Sequence, residues 1–443
     1  MTIYHIMKKT AIALLWTVTS YAAFAQDEAK TLTLDEALTV SQMANKSIQM
    51  AELDRSKSQA DYRQTNAMFL PQVGISYTAM ATNNPLNAFG FKLQQQSITQ
   101  NDFNPDLLNK PYSTGNFYTK ASIQQPLVNV DAYYMRKSAG IQTKVYDQMA
   151  VRTRQHVTFE VTKAYLQLQL AYRLVSVQEK ALATANALLR FTSHRFTQGL
   201  VQKSDVLNMQ VYVNTMESQL ADAKSNIQNA SDFLSLLMNK PTGTIYQVPE
   251  AANSVTATEF TGTISPNRAD FKALATSIEA AETKTLAGKY SRLPRLNAVG
   301  DVYLNDKRVA GFGSGSYLLG LQLSWDVFNG NKTKFALKSQ AFANSKMKVQ
   351  LDDIMAQNQL AYTKAMRDLE NTKFKRHQQE SAISQAEEVL RLTENRYRQG
   401  LETTTQLLTA QTQLAQQKLV YEQVTYDQNN LLAYLQFLTA PSN

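Results

Sequence analysis

The sequence contains Arg195-Phe196-Thr197-Gln198-Gly199-Leu200 and, further along, the near copy Arg396-Tyr397-Arg398-Gln399-Gly400-Leu401. Each stretch lies between two long segments in which apolar residues recur at helical spacing. The glycine stands where the first segment must stop, and glycine readily adopts the left-handed conformation that ends many helices. The arginine that begins each stretch suits the negative end of a helix dipole. We therefore predict that each stretch is the tip of a helical hairpin.

The helices predicted after the two tips carry the same apolar stripe. The first stripe has a strict spacing of three and four residues: Val206, Met209, Val213, Met216, Leu220, Ala223, Ile227, Ala230, Leu234 and Leu237. The second repeats it with only two glutamines interrupting: Leu407, Ala410, Leu414, Gln417, Tyr421, Val424, Gln428, Leu431, Leu435 and Leu438. A stripe kept in register in both halves indicates an internal duplication and coiled-coil-like packing of antiparallel helices. A soluble bundle with a duplicated hairpin explains this stripe equally well.

The order of the predicted elements divides the chain into two repeats. The first repeat, residues 26–239, has a helix at 31–68, strands at about 72–81 and 115–126, a long helix at 131–196, the tip, and a helix at 203–238. After a linker with prolines and glycines at 240–266, the second repeat, residues 267–443, has a helix, strands at about 295–305 and 317–327, a long helix at 332–397, the tip, and a helix at 403–438. Residues 82–114 form a predicted long loop, which fits a solvated surface loop and a docking site for a surface partner equally well.

The first residues have the composition of a secretory signal. Lys8 and Lys9 precede a short apolar core, and Ala23-Phe24-Ala25 has the pattern of a cleavage site, so residues 1–25 are a predicted signal peptide. The sequence has no cysteine, which excludes disulfides and thiolate chemistry. The formal net charge is +9, but basic and acidic residues alternate along the helices. This pattern is typical of solvated helix faces, and no nucleic-acid partner is expected.

The predicted strands have an apolar face and a polar face. The clearest is the fourth, in which apolar residues alternate with small or polar ones: Tyr317, Leu319, Leu321, Leu323, Trp325 and Val327. Two-faced strands of about ten residues match the wall of a membrane barrel between lipid and water. Open strand edges are not tolerated in lipid, and single-chain barrels begin at about eight strands. If the chain is a membrane protein, several copies must complete one barrel.

Further duplicated motifs carry a resemblance to a known family. Leu70-Pro71 and Leu293-Pro294 precede the two strand pairs, and Pro126-Leu127-Val128-Asn129 is echoed by Asp326-Val327-Phe328-Asn329. Together with the duplicated tips, these motifs resemble the TolC family of outer-membrane efflux proteins over nearly the whole mature chain. The resemblance implies an α+β membrane protein in the cell outer membrane, with most of the chain in the periplasm. It implies a trimer whose 12-stranded β-barrel, in contact with outer-membrane lipid, is continued by a long periplasmic α-helical barrel.

The resemblance also implies a function and partners. Members of the family are homotrimeric exit ducts that work with a periplasmic adaptor protein and an inner-membrane pump or ABC exporter. We therefore expect the outer-membrane channel of a tripartite efflux system that exports small toxic compounds. An alternative with the same architecture is the exit duct of a type I protein secretion system. An alternative of another class is a secreted coiled-coil scaffold or adhesin without a pore.

By this resemblance, the functional residues lie at the two tips. Docking of the adaptor is expected at the residues that end the long helices: Gly199, Leu200, Gly400 and Leu401. The gate or constriction is expected at Asp205, Tyr397, Glu402, Gln406 and Thr409. From the residues alone, Asp205 is equally well a helix cap, Tyr397 a packed heptad residue, and the two glycines simple helix stops.

The sequence departs from the family pattern just after the second tip. The family has a basic residue two positions after the tip glycine, where this chain has Glu402. Two acids would repel each other at Asp205 and Glu402, so the family's clasp cannot form in the same way. Lys203 or Arg398 is expected to take the basic role.

The sequence also lacks an acidic ring and any recognisable catalytic motif. Many family members have acids at the positions of Gln406 and Thr409, and neither residue is acidic here. A cation-binding gate is therefore not expected. The histidines of the mature chain, His156, His194 and His377, have no carboxylate or second histidine at metal-ligand spacing. We expect no enzymatic activity, no metal and no cofactor.

Overall fold

The computed structural model of the chain describes residues 30–249 and 263–441. The predicted signal peptide, and residues 250–262 of the predicted linker, lie outside the described residues. The helices are α1 Leu34–Ala44, α2 Lys46–Gln64, α3 Pro85–Gln94, α4 Pro105–Asn109, α5 Val130–Thr197, α6 Lys203–Leu237, α7 Ala269–Tyr290, α8 Lys332–Arg398 and α9 Thr404–Thr439. The strands are β1 Lys30–Thr31, β2 Gln72–Thr82, β3 Thr114–Val128, β4 Tyr246–Gln247, β5 Arg295–Asp306 and β6 Ser314–Ser324. Each half of the chain thus places a strand pair before a very long helix and its returning partner.

The long helices dominate the fold. α5 has 68 residues and α8 has 67, and each is therefore about 100 Å long. Each turns at a tip into a helix that packs back along it, α6 on α5 and α9 on α8. α9 also packs along α5, so the two hairpins lie side by side. Within the described residues, no helix is both long and apolar enough to cross a membrane.

The helix predicted over 31–68 is instead two helices, α1 and α2, with a break at Asn45. The backbone of Asn45 is extended (φ −62°, ψ 133°), and its Oδ1 accepts a hydrogen bond from the Ser47 N–H at 2.9 Å. Its Nδ2 donates to the Leu237 carbonyl at 2.7 Å, which fixes the break against the end of α6. The break is favourable because asparagine caps helices well and finds a distant partner here. The capping box predicted for Thr33 and Glu36 is confirmed at the start of α1.

The segment predicted as a long loop, residues 82–114, contains α3 and α4. Each helix begins with an asparagine followed by a proline, Asn84-Pro85 and Asn104-Pro105. Both asparagine side chains accept a hydrogen bond from a backbone N–H of the first turn, at 3.2 Å and 3.0 Å respectively. Asparagine at the N-cap and proline at the first helical position favour a helix start. The loop prediction missed this local signal.

The strands β2, β3, β5 and β6 form one antiparallel sheet in the order β2-β3-β5-β6. The register aligns residues of like character: Lys120 lies opposite Ser76 and Tyr303, whereas Ala121 lies opposite Ile75 and Val302. The sheet therefore has a polar face and an apolar face, because side chains alternate along each strand. β2 and β6 are its edges, and neither edge has a further strand as a partner in the part of the chain that the structure describes.

Two arginines hold the C-terminal end of α9. Arg268 is 1% exposed, and its Nη1 donates to the Leu438 carbonyl at 3.2 Å. Arg152 donates to the Phe437 carbonyl at 3.0 Å, and burial lowers its pKa to about 10. Asp270 bonds to Arg268; burial raises the pKa of Asp270, but the Arg268 hydrogen bond and the charge of Arg152 outweigh burial and lower it. Cations at this helix end also suit the dipole of α9.

Arg268→Ala is expected to destabilise the protein strongly. The substitution leaves the half-buried Asp270 and the Leu438 carbonyl without this partner, and removing one member of a buried ion pair typically costs about 3 kcal/mol or more. The measurement is the midpoint of thermal unfolding of the purified protein. The control is Arg391→Ala, which removes an exposed pair with Glu388 on α8 and should change the midpoint little. Equal midpoints for the two variants would contradict the assignment.

Candidate gate and docking site at the hairpin tips

Both tips have the same backbone conformation. Gly199 has φ +72° and Gly400 has φ +79°, in the left-handed region. At the first tip, the N–H groups of Gly199 and Leu200 donate to the carbonyls of Phe196 and Arg195, both at 2.9 Å. The second tip repeats the two bonds at 3.0 and 2.9 Å. This pattern is the Schellman motif, which pairs carbonyls that a helix end would leave free. The predicted helix stops at both glycines are confirmed.

Tyr397 lies at the centre of the packing between the tips. It is 2% exposed and belongs to an apolar cluster whose other buried members are Met209, Ala386, Leu390, Leu407, Ala410 and Leu414. Its hydroxyl lies 2.9 Å from Thr192 Oγ1 and 3.3 Å from Thr404 Oγ1. A buried tyrosine needs such partners because an unpaired hydroxyl is costly to desolvate. This one side chain therefore joins α5, α8 and α9.

Arg195 links the first tip to the second. Its Nη1 donates to the Tyr397 carbonyl at 2.6 Å, and its guanidinium lies 5.3 Å from the centroid of the Tyr397 ring. That carbonyl belongs to the last turn of α8, where a cation suits the helix dipole. A Cβ added to Gly400 would lie 3.3 Å from Arg195 Nη2, so a side chain there would press on this link. The sequence assigned Arg195 only to its own helix end, because no local pattern names a partner in the other repeat.

The copy of Arg195 in the second repeat, Arg396, has a different partner. Its Nε lies 2.9 Å from Glu402 Oε1, and the carboxylate side chain is largely buried. Arg396 therefore neutralises Glu402. The physical reason is the tip turn itself, since it folds the residues just after the glycine back over the last turn of α8. The two equivalent arginines thus have different partners. Arg195 links the two tips, whereas Arg396 forms an ion pair within its own tip.

Asp205 bonds to its own helix. Its Oδ2 accepts a hydrogen bond from the Gln202 N–H at 3.0 Å, as part of a capping box at the start of α6. An acid in the first turn also suits the positive end of the helix dipole. Of the predicted gate residues, Tyr397 is therefore in contact with Arg195 of the other tip. The side-chain bond of Asp205, by contrast, is to the start of its own helix, α6.

The comparisons with known proteins agree with this geometry. Residues 39–240 and 263–440 match the family model described as outer membrane efflux protein. The chain belongs to this family. The predicted resemblance to the TolC-like channels is therefore confirmed, and the protein is an outer-membrane exit duct of tripartite efflux. No curated protein matches the sequence significantly.

Solved structures of channel proteins share the fold of this outer membrane efflux protein. CusC has a TM-score of 0.79 at 14% identity, with 93% of this chain and 92% of that chain covered. CmeC of Campylobacter jejuni has a TM-score of 0.78 at 13% identity, with 94% and 90% covered. VceC of Vibrio cholerae has a TM-score of 0.76 at 16% identity, with 92% and 96% covered. At these identities the likeness establishes the fold, and it confirms the predicted fold class.

The remaining predicted gate residues of this efflux protein lie exposed at the start of α9. Gln406 Oε1 accepts hydrogen bonds from the Thr403 N–H at 3.0 Å and the Thr403 hydroxyl at 2.8 Å. The Thr409 hydroxyl donates to the Thr405 carbonyl at 2.9 Å. Both side chains therefore form hydrogen bonds with residues at the start of their own helix. Within residues 30–249 and 263–441, no three His, Asp or Glu side chains gather where they could hold a metal ion.

Each tip exposes an apolar side chain directly after its glycine. Leu200 and Leu401 are both largely exposed, each directly after its tip glycine. A Cβ added to Gly199 would meet no atom within 4 Å, so the first turn is open to a partner. Exposed leucines beside a bare backbone turn offer an apolar contact of the kind that protein partners use. The efflux protein thus exposes two similar apolar side chains, one at each tip.

Proposed function

We propose that three copies of this chain form one continuous channel that receives small toxic compounds from a periplasmic adaptor and an inner-membrane pump. The observation that carries the proposal is the sheet, which has four strands, two free edges and an exposed apolar face. In lipid every backbone N–H and C=O must be paired, so each free edge requires a strand from another copy. Three such sheets supply enough strands for closure, because barrels close from about eight strands upwards.

The long helices support the same assembly. α8 exposes an apolar residue at every seventh position along one face: Phe335, Phe342 and Val349. Such a stripe is typical of a helix that packs against a partner helix. The helix faces that none of the described elements covers would thus meet the next copy, below the barrel that the sheets form. Three copies would then enclose a helical conduit that continues the barrel into the periplasm.

The tips would serve as docking point and gate. Leu200 and Leu401, with their glycines, would meet the adaptor, because they are exposed and no bulky neighbour covers the first turn. Tyr397 and Arg195 would hold the tips together in the closed state. Asp205 and Glu402 would act there through their local bonds, as cap and as partner of Arg396. The exposed Gln406 and Thr409 would line the constriction as neutral side chains.

The test compares the two opposite faces of one strand. Leu319 and Gln322 are both exposed on β6, Leu319 on the apolar face and Gln322 on the polar face. Leu319→Arg would place a charge in lipid, which costs about 2–4 kcal/mol at the bilayer midplane, whereas Gln322→Arg would face water in the pore. We expect Leu319→Arg to reduce the amount of assembled trimer in outer-membrane fractions several-fold, and Gln322→Arg to retain it.

Two further outcomes of this experiment are informative. Equal assembly of the two variants would contradict the membrane assignment of the sheet, and a freely soluble wild-type chain would favour a scaffold without a pore.

Deletion of the gene distinguishes export of small compounds from export of a protein. Increased sensitivity to small toxic compounds supports efflux, whereas loss of a secreted protein with unchanged sensitivity would favour the type I secretion alternative.

A further inference from the structure

The segment between β2 and β3 is folded over one particular face of the sheet. The side chain of Gln95, just after α3, donates from Nε2 to the Gly115 carbonyl at 2.7 Å and to Asn116 Oδ1 at 3.0 Å. Asn116 lies on β3 two residues before Tyr118 and four before Lys120, so it belongs to the polar face. α3 therefore lies against the polar face, at the end of the sheet that is farthest from the long helices.

A buried network of amides and hydroxyls fixes α3 in this position. Asn116 Nδ2 donates to Asn305 Oδ1 on β5 at 3.1 Å and to Gln94 Oε1 at the end of α3 at 3.3 Å. The Ser314 hydroxyl, at the start of β6, donates to the Gln94 carbonyl. Asn116, Asn305 and Ser314 are all buried. Breaking this network would leave buried polar groups unpaired, so α3 is held directly to β3 and β6 and, through Asn116, to β5.

The segment is also braced internally. Lys92 on α3 lies 2.5 Å from Asp102, and this bond is the main cause that lowers the pKa of Asp102 to about 2. The rings of Phe89 and Phe103 pack edge to face, with centroids 5.6 Å apart. Ala88, on the same side of α3 as these contacts, is buried. α3 is therefore a fixed element with one side packed inward.

The opposite side of α3 is apolar and uncovered. Leu86 is 81% exposed and Leu93, one heptad later, is 53% exposed. Gly90 lies between them, and a Cβ added there would meet no atom within 4 Å. Two leucines on either side of a small residue form a helix face that suits close approach of another helix. The helix thus carries an apolar stripe on the side of the sheet that should face water.

We propose that α3 closes the outer mouth of the channel by packing against its two copies around the threefold axis. The inference rests on the proposed trimer, in which the polar face of each sheet lines the pore. Inside such a closed ring, the structural elements within reach of a fixed helix are the same helices of the other two copies. Contact among three Leu86–Leu93 stripes would remove apolar surface from water and obstruct the pore. This closure lies at the end of the channel opposite the hairpin tips.

The first test exploits the absence of native cysteine. Leu86→Cys in the full chain is treated in cells with a short bifunctional maleimide. The control is Val309→Cys, which is 72% exposed in the β5–β6 loop. That loop lies on the apolar, outer face, because the Ala310 N–H donates to the Tyr77 hydroxyl at 3.0 Å. We expect covalent dimers and trimers from Leu86→Cys, and only singly labelled monomer from Val309→Cys.

The second test measures closure from outside, independently of the tips. Gln124 is exposed on the polar face, about 27 Å along β3 from Asn116. A bulky polymer-linked maleimide added to cells should label Gln124→Cys slowly. Adding Leu86→Asp brings three carboxylates together, and their repulsion should raise the labelling rate roughly tenfold by increasing the open population. Leu86→Asp is compared with Val309→Asp, which should leave the rate unchanged.

The outcomes separate this inference from the proposed function. A trimer that forms no Leu86→Cys cross-link, or one whose Gln124→Cys labels at the same rate with and without Leu86→Asp, would overturn the closure and leave the channel intact. A chain that remains monomeric in mild detergent would overturn the proposed trimer itself. Should Leu86→Asp fail to assemble, the cross-linking of Leu86→Cys alone decides, since it leaves the neighbours of α3 unchanged.

Discussion

Tyr397→Ala is expected to open the hairpin tips and raise the single-channel conductance of the protein in planar bilayers. The side chain is buried at the junction of α5, α8 and α9, and its hydroxyl bonds to Thr192. Removing a buried aromatic ring costs about 3–5 kcal/mol, and a loss of about 3 kcal/mol on the closed state would shift a closed-to-open equilibrium by roughly a hundredfold. The tips would then be held by the remaining apolar cluster and by the bond from Arg195 to the backbone carbonyl of residue 397.

Tyr397→Phe is the matched control for this prediction. It keeps the ring in the cluster and removes only the hydroxyl contacts with Thr192 and Thr404, which contribute about 1 kcal/mol. We expect a conductance between that of the wild type and that of Tyr397→Ala. If Tyr397→Ala conducts like the wild type, the tyrosine is a packing residue of the hairpin and takes no part in the gate.

Gly400→Asp is expected to abolish most of the resistance that the channel confers. A non-glycine residue at φ +79° is strained by about 1 kcal/mol, and the new side chain would start 3.3 Å from Arg195 Nη2. The carboxylate would compete for the guanidinium that now bonds to the Tyr397 carbonyl. It would also place a charge on the apolar contact point beside Leu401. The measurements are growth at rising drug concentration and cross-linking to the adaptor.

Gly199→Asp is the control, because it has the same strain without the second contact. Gly199 has φ +72°, and an added Cβ there meets no atom within 4 Å. We expect a smaller loss of resistance than for Gly400→Asp, with the sheet still assembled in both variants. Unchanged resistance and unchanged adaptor cross-linking in Gly400→Asp would remove the docking role of the second tip. Equal losses in both variants would show that Arg195 is unimportant to the closed tips.

The sequence was sufficient for the features that depend on near neighbours. The tip glycines, the capping box at Thr33 and the alternating character of β6 all follow from residues a few positions apart. Even α3 and α4 had such a signal in Asn84-Pro85 and Asn104-Pro105, which the loop prediction overlooked. These features are readable because capping, turn formation and side-chain alternation are short-range effects.

The candidate site was harder to predict because some of its contacts join a residue of the first repeat to a residue of the second. Arg195 and Arg396 occupy equivalent places in the two tips, yet one bonds to the Tyr397 carbonyl and the other to Glu402. The pair of Arg396 with Glu402 is local, since the first tip has Val201 at the equivalent position. The partner of Arg195 is not readable in the same way, because it depends on which tip lies beside which. The break at Asn45 has the same origin, because the Leu237 carbonyl that receives its hydrogen bond lies far along the chain.

The sequence by itself therefore determined the duplicated hairpins, the two-faced strands and the family to which they belong. The tertiary structure decided which tip holds the other, where the N-terminal helix breaks, and on which face of the sheet α3 lies. The physical reason is range: periodicity and caps are set by the nearest residues, whereas the partner of a buried arginine or asparagine is set by how distant segments pack.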